Sequence, residues 1–189
     1  MAYQRTREDD LETRRHSGWF GLTSAVALSA AIGVFVSWPS PIAGQAPTAD
    51  DIAEGRRLYT QKGDCQACHG WAADGRKMDT QMPDGANLRT TRLNRDNLIA
   101  AIKCGRPGKG MPAFDRVAYS DGRCYGMKEA DLRRNGQTMP DPPATLQLRE
   151  IETIVDFLFA KVIGKGPMDH AKCVEYWGSD VDACKEFSR

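Results

Sequence analysis

Residues 65–69 read Cys65-Gln66-Ala67-Cys68-His69, and this spacing narrows the chemistry open to the chain. Two thiols three positions apart share one turn of helix, and the adjacent imidazole projects from the same side. That arrangement suits covalent attachment of one haem c. Cys65 and Cys68 would each form a thioether with a vinyl group, and His69 would bind the iron. Two other uses fit less well. A thioredoxin-type dithiol is expected beside a βαβ pattern, and no strand-rich run precedes Cys65. A zinc knuckle needs a second ligand pair at suitable spacing, which Cys104 and Cys124 do not supply.

A sixth iron ligand is sought downstream. Gly108-Lys109-Gly110-Met111-Pro112-Ala113-Phe114 sets a methionine in a loop defined by glycine and proline, just after a helical segment that ends in Gly105. A thioether favours ferrous iron and raises the reduction potential. Met139, followed by Pro140, is the alternative because it lies nearer the last long helix; Met78, Met82, Met127 and Met168 lack comparable surroundings. The ordinary use of any methionine is to fill a core gap.

The chain has 189 residues, enough for one domain plus appendages, and 41% hydrophobic with 27% charged residues describes a globular protein. A net charge of +1, with no aromatic-basic stripe, gives no sign of nucleic acid binding. The charge is uneven. Residues 56–116 hold twelve Lys/Arg against six Asp/Glu, so either a basic patch steers the protein to an acidic partner or the charges are an ordinary solvated surface.

Residues 19–38 carry no charge and follow Arg14, Arg15 and His16. As a signal peptide, the apolar run would end at Pro39 and Pro41, and Gly44-Gln45-Ala46 would supply the cleavage site. As an anchor, about 20 residues suffice to cross a bilayer, with Trp19 and Trp38 at the two interfaces. Both readings deliver the remainder to the periplasm, soluble or held at the inner membrane. The expected organisation is therefore a leader or anchor over 1–46, a haem domain over 47–164 and a helical extension over 165–189.

In an oxidising compartment the four remaining cysteines suggest disulfides. Three connectivities are possible, and pairing by sequence proximity joins Cys104 to Cys124 and Cys173 to Cys184. Free buried thiols are the other reading.

On its CxxCH segment and GMPAF loop the chain resembles the class I c-type cytochromes over about residues 50–164. The resemblance implies an all-α fold around one covalently bound haem, with a first helix from Asp50 to about Lys62, another from Arg95 to Lys103 and a last one from about Arg149 to Ile163. It also implies Gly55 and Tyr59 packing on Phe157 or Phe159. Independently, Ile151, Ile154, Val155, Leu158 and Val162 form one apolar stripe at helical spacing, and Gly164 suits a helix end.

Three departures stand out. The family's Gly-Pro-x-Leu segment, whose proline region offers a backbone acceptor to the proximal histidine, here corresponds to Gly85-Ala86-Asn87-Leu88, and Pro83 is the neighbouring candidate for that role. About thirty residues separate the Met111 loop from the last helix where about ten are usual, and a Cys104–Cys124 bridge would close this loop and protect ligation. Residues 165–189 extend past the family's usual end. Two short helices are expected there, near His170 to Trp177 and near Asp180 to Phe187, with Ser179 as an N-cap; His170 reads as a surface histidine.

A one-electron carrier is the expected function, with no catalytic acid, base or nucleophile. Five-coordinate haem chemistry or a fixed haem subunit of a membrane oxidoreductase are the alternatives. Expected redox partners are a dehydrogenase, including a periplasmic quinoprotein, or a quinol–cytochrome c reductase on one side and a terminal oxidase or reductase on the other.

Overall fold

A computed structural model of the chain describes residues 46–187, and the expectations placed on residues 1–45, including the apolar run 19–38, lie outside the described residues. Among the described residues the elements are helical, with two isolated bridges, Arg106 to Met111 and Cys124 to Met127, and no strand. The all-α class expected above therefore holds. None of the described helices is long and apolar enough to cross a membrane.

Helix α1 (Ala49–Arg57) begins at Thr48, whose hydroxyl accepts from Asp51 N while the Asp51 carboxylate accepts from Thr48 N at 2.8 Å. This reciprocal cap satisfies two end donors. The first helix is not uniform. Residues Leu58–Lys62 widen to a π turn, closed by Gly63 N donating to Leu58 O at 2.8 Å, and Cys65 N then donates to Tyr59 O at 2.9 Å. Short α2 (Gln66–His69) carries the second half of the thiol motif. Helix α3 (Arg95–Cys104) is capped by Asn94, and α4 (Glu129–Arg134) lies within the insertion. Helix α5 (Leu148–Lys161) stops two residues before the expected Ile163, with Gly164 at φ 72° just beyond.

The α1–α5 crossing organises the core. An added Cβ on Gly55 would come within 2.7 Å of Phe157 Cβ, and the Tyr59 and Phe157 rings lie 5.7 Å apart. Phe157 is 1% exposed and Phe159 37%, so of the two expected partners Phe157 fills the crossing. Ile151, Ile154, Val155, Leu158 and Val162 are all buried in the same cluster with Leu98, Ile102 and Phe114. Burial of such side chains, at roughly 1.5–3 kcal/mol each, is the main favourable term in folding.

Beyond α5, helices α6 (His170–Trp177) and α7 (Asp182–Lys185) are joined by Cys173–Cys184, and a second disulfide joins Cys104 to Cys124. Asp169 caps α6 by accepting from Lys172 N at 2.8 Å. The expected Ser179 cap does not form: α7 starts later, after Val181, and has no side-chain cap. The extension folds back on the segment that follows the thiol motif. Trp71 lies 5.3 Å from Tyr176, 5.5 Å from Trp177 and 6.0 Å from Phe187 between ring centroids. The Arg56 guanidinium sits 4.7 Å over the Tyr176 ring and donates to Tyr176 O. His170 pairs with Asp180 at 3.2 Å, as a surface histidine would.

Candidate haem site

Cys65, Cys68, His69 and Met111 line one cavity of about 670 Å³. Met139 is not among its lining residues. Tyr59, Leu98, Ile102, Phe114, Ile154 and Leu158 supply much of the apolar wall, so the same side chains that make the core make the pocket. A volume of several hundred Å³ with mostly apolar walls and a few converging donors is typical of cofactor pockets.

Each donor is placed by its local backbone. Tyr59, held in the α1–α5 crossing, donates its hydroxyl to Gly70 O at 2.8 Å and so ties the end of α2 to α1. His69 Nδ1 lies 2.8 Å from Ala86 O. The Ala86 carbonyl accepts from Nδ1–H, which fixes the tautomer and leaves Nε2 with a lone pair that could bind a metal. The proline of the family pattern is thus dispensable, because the acceptor is a backbone carbonyl and the aligned stretch presents one. Pro83 serves elsewhere: its ring lies against Gly110, where an added Cβ would meet Pro83 Cγ at 2.9 Å. Gly85 permits the approach of its strand of chain, since a Cβ there would fall 2.8 Å from His69 Nδ1.

Electrostatics agree with a ligand role. Burial pushes the His69 imidazole below its usual range, the Arg106 charge acts in the same direction, and the bond to Ala86 opposes both. The ring is therefore neutral near pH 7, the form that binds metal. Cys65 and Cys68 are free thiols; burial pushes Cys65 up to about 12 and raises Cys68. Neutral thiols beside an apolar cavity suit thioether formation better than a zinc thiolate site. Among the described residues no group of three or more His, Cys, Asp or Glu side chains could hold a metal ion. The donor set and the cavity fit haem c.

The basic stretch 56–116 is only partly free. Arg57, Lys62, Arg76, Lys77, Arg95 and Lys103 pair with carboxylates, and Arg89, 4% exposed, donates to Ala72 O and Gly166 O. At the cavity Arg106 and Lys109 are interleaved with Asp64, Asp84 and Asp141. The rim carries both signs of charge.

Several contributors escape a reading of the sequence. The Tyr59 hydroxyl bond goes beyond the packing role expected of that residue, the Ala86 acceptor is implied only through the family resemblance, and two tyrosines of the insertion, Tyr119 and Tyr125, bond to the end of α3. A tyrosine in a long insertion gives no signal of its own.

A family model described as cytochrome C oxidase, cbb3-type, subunit III matches residues 50–127. No curated protein and no solved structure matches the chain. The matched span holds the thiol motif, His69 and the Met111 loop but ends before α5. It supports a c-type cytochrome, an electron-transfer haem protein whose family implies covalently bound haem c.

Proposed function

We propose that this protein is an exported one-electron carrier with a single haem, tethered at Cys65 and Cys68 and ligated by His69 and Met111. The observation that carries the reading is the convergence of these four side chains on one mostly apolar cavity. Bound haem would supply the one-electron couple of its iron. The chain's part would be to hold the two iron donors His69 and Met111, keep the His69 Nδ1–H donated to Ala86 O, and exclude water from the site with the Leu98, Ile102, Phe114 and Leu158 wall. With both His69 and Met111 bound, the iron would have no open position for oxygen or peroxide, which disfavours five-coordinate chemistry. Residues 1–46 act as leader or anchor, and the haem domain begins at residue 47.

The natural partners of such a carrier are a dehydrogenase, including a quinoprotein, or a quinol–cytochrome c reductase as donor, and a terminal oxidase or reductase as acceptor. A mixed-charge rim sets orientation more than long-range steering. A second reading has its own support, because the matched family is described as an oxidase subunit. In it the protein is a fixed haem subunit of a membrane complex.

Two measurements test these readings. Protein purified from a host with intact haem-attachment machinery is expected to carry the mass of one haem, retained on denaturation. A colourless product lacking that mass would end the proposal. Fractionation of the native host then separates the two roles: a low-mass species free of other redox subunits is expected for the carrier, and exclusive recovery with an oxidase would select the fixed subunit.

A further inference from the structure

The insertion after Met111 does more than lengthen the chain. The last carbonyls of a helix lack partners within it. At the end of α3 four consecutive carbonyls are taken by residues that follow Met111. Ile102 O accepts from Phe114 N at 3.2 Å and Lys103 O from Asp115 N at 3.0 Å. Cys104 O accepts from the Tyr119 hydroxyl at 2.7 Å and Gly105 O from the Tyr125 hydroxyl at 2.9 Å. The Cys104–Cys124 disulfide fastens the same point covalently.

This end of α3 is also the stem of the Met111 loop. Gly105, at φ 63°, lies so close to the returning chain that a Cβ there would fall 2.5 Å from Pro112 C. Arg106 N donates to Met111 O at 3.0 Å and closes the loop at its base. Tyr125 reaches its bond from a φ of 56°, a conformation costly for a bulky side chain. Tyr125 is 53% exposed; with Gly126, at φ 70°, it turns the chain between Cys124 and Met127, whose N donates to Cys124 O at 3.0 Å, and this turn sets the Tyr125 hydroxyl on Gly105 O.

We infer that Tyr119, Tyr125 and the Cys104–Cys124 bridge are positioning groups that brace the stem of the loop and hold Met111 on the iron. The inference rests on Met111 being the distal ligand. An exogenous ligand can bind only after Met111 has swung away, so its apparent affinity scales with the fraction of open loop. Removing a brace raises that fraction without touching the iron or its donors.

The test is imidazole titration of the ferric holoprotein, followed through loss of the deep-red methionine-to-iron charge-transfer band. Loss of one hydrogen bond predicts about fivefold tighter imidazole binding in Tyr119→Phe and in Tyr125→Phe. The Cys104→Ser/Cys124→Ser variant is expected to bind tenfold tighter or more. The two phenylalanine variants keep the test decisive if the double serine variant fails to fold, since each removes one oxygen. Wild-type imidazole affinity in both of them overturns the brace. Met111→Ala separates the premises: if it keeps the band, the ligand assignment falls and the brace with it. If it loses the band while the tyrosine variants match wild type, only the brace falls.

Discussion

The two sides of the haem cavity are built in opposite ways. On the proximal side the three proposed haem-binding residues lie within five positions, and local helix geometry brings Cys65, Cys68 and His69 together. Contacts from nearby chain then refine them, among them Tyr59 on Gly70, Ala86 on His69, Gly85 N on Cys68 O at 3.1 Å and Gly75 N on His69 O at 2.9 Å. On the distal side one residue, Met111, sits in a loop closed by an isolated bridge to Arg106, and its place is set by α3, Pro83 and an insertion reaching to Tyr125. The proximal side is specified locally and the distal side by tertiary structure. The first should therefore tolerate changes at a distance, and the second should respond to them.

The largest effect should come from the proximal side. Cys65→Ala/Cys68→Ala is expected to abolish covalent haem, read as loss of the haem mass after denaturation. On the distal side, Met111→Ala should keep covalent haem but lower the reduction potential, because a thioether ligand raises it. Met139→Ala should leave the potential unchanged in voltammetry. A drop in Met139→Ala alone would move the distal ligand.

Support behind the proximal side comes next. Phe157→Ala empties the α1–α5 crossing and should cost about 3–5 kcal/mol in denaturant unfolding. A smaller effect is expected at Lys62 and Glu150, paired at 2.6 Å, where Glu150 also accepts from Gln147 N at the start of α5. Glu150→Gln should cost about 0.5–1 kcal/mol, since the pair is partly solvated. The hydrogen bond from Lys62 holds the Glu150 carboxyl below its ordinary 4.5. Its contribution is thus present in full above about pH 4.5 and fades as pH falls through the lowered folded value. The difference between Glu150→Gln and wild type should narrow in acid; a difference unchanged at pH 3 would refute the assignment. Least of all, Tyr176→Phe should be neutral or slightly stabilising in denaturant unfolding, because the buried Tyr176 hydroxyl has no hydrogen-bond partner among the described residues.

The same contrast explains how much could be read from the chain. The thiol motif and the helical spacing of Ile151 to Val162 are local or periodic patterns, and each predicted its element, while the packing of Gly55 followed from the family resemblance. Pairing the cysteines by proximity also matches the structure, because both loops are short. What could not be read depends on contacts between distant segments. The π turn at Leu58–Lys62 arises where α1 must pass Tyr59 into the core and still deliver Cys65 to the cavity. The Ala86 carbonyl is a backbone group, so residue type at position 86 does not reveal it; the resemblance pointed to the stretch Gly85 to Leu88, and only the fold shows which carbonyl meets His69. Ser179 looked like a cap by type, but the chain turns at Gly178, φ 74°, and α7 starts three residues after Ser179. The role of Tyr119 and Tyr125 needed the position of the end of α3.

The most direct test of the central claim is the optical spectrum of the ferric holoprotein beside that of its Met111→Ala variant. Low-spin bands with a methionine-to-iron charge-transfer feature in wild type, lost on substitution of Met111, are the expected result. High-spin iron in the wild type, or a charge-transfer feature that survives the substitution, would contradict it.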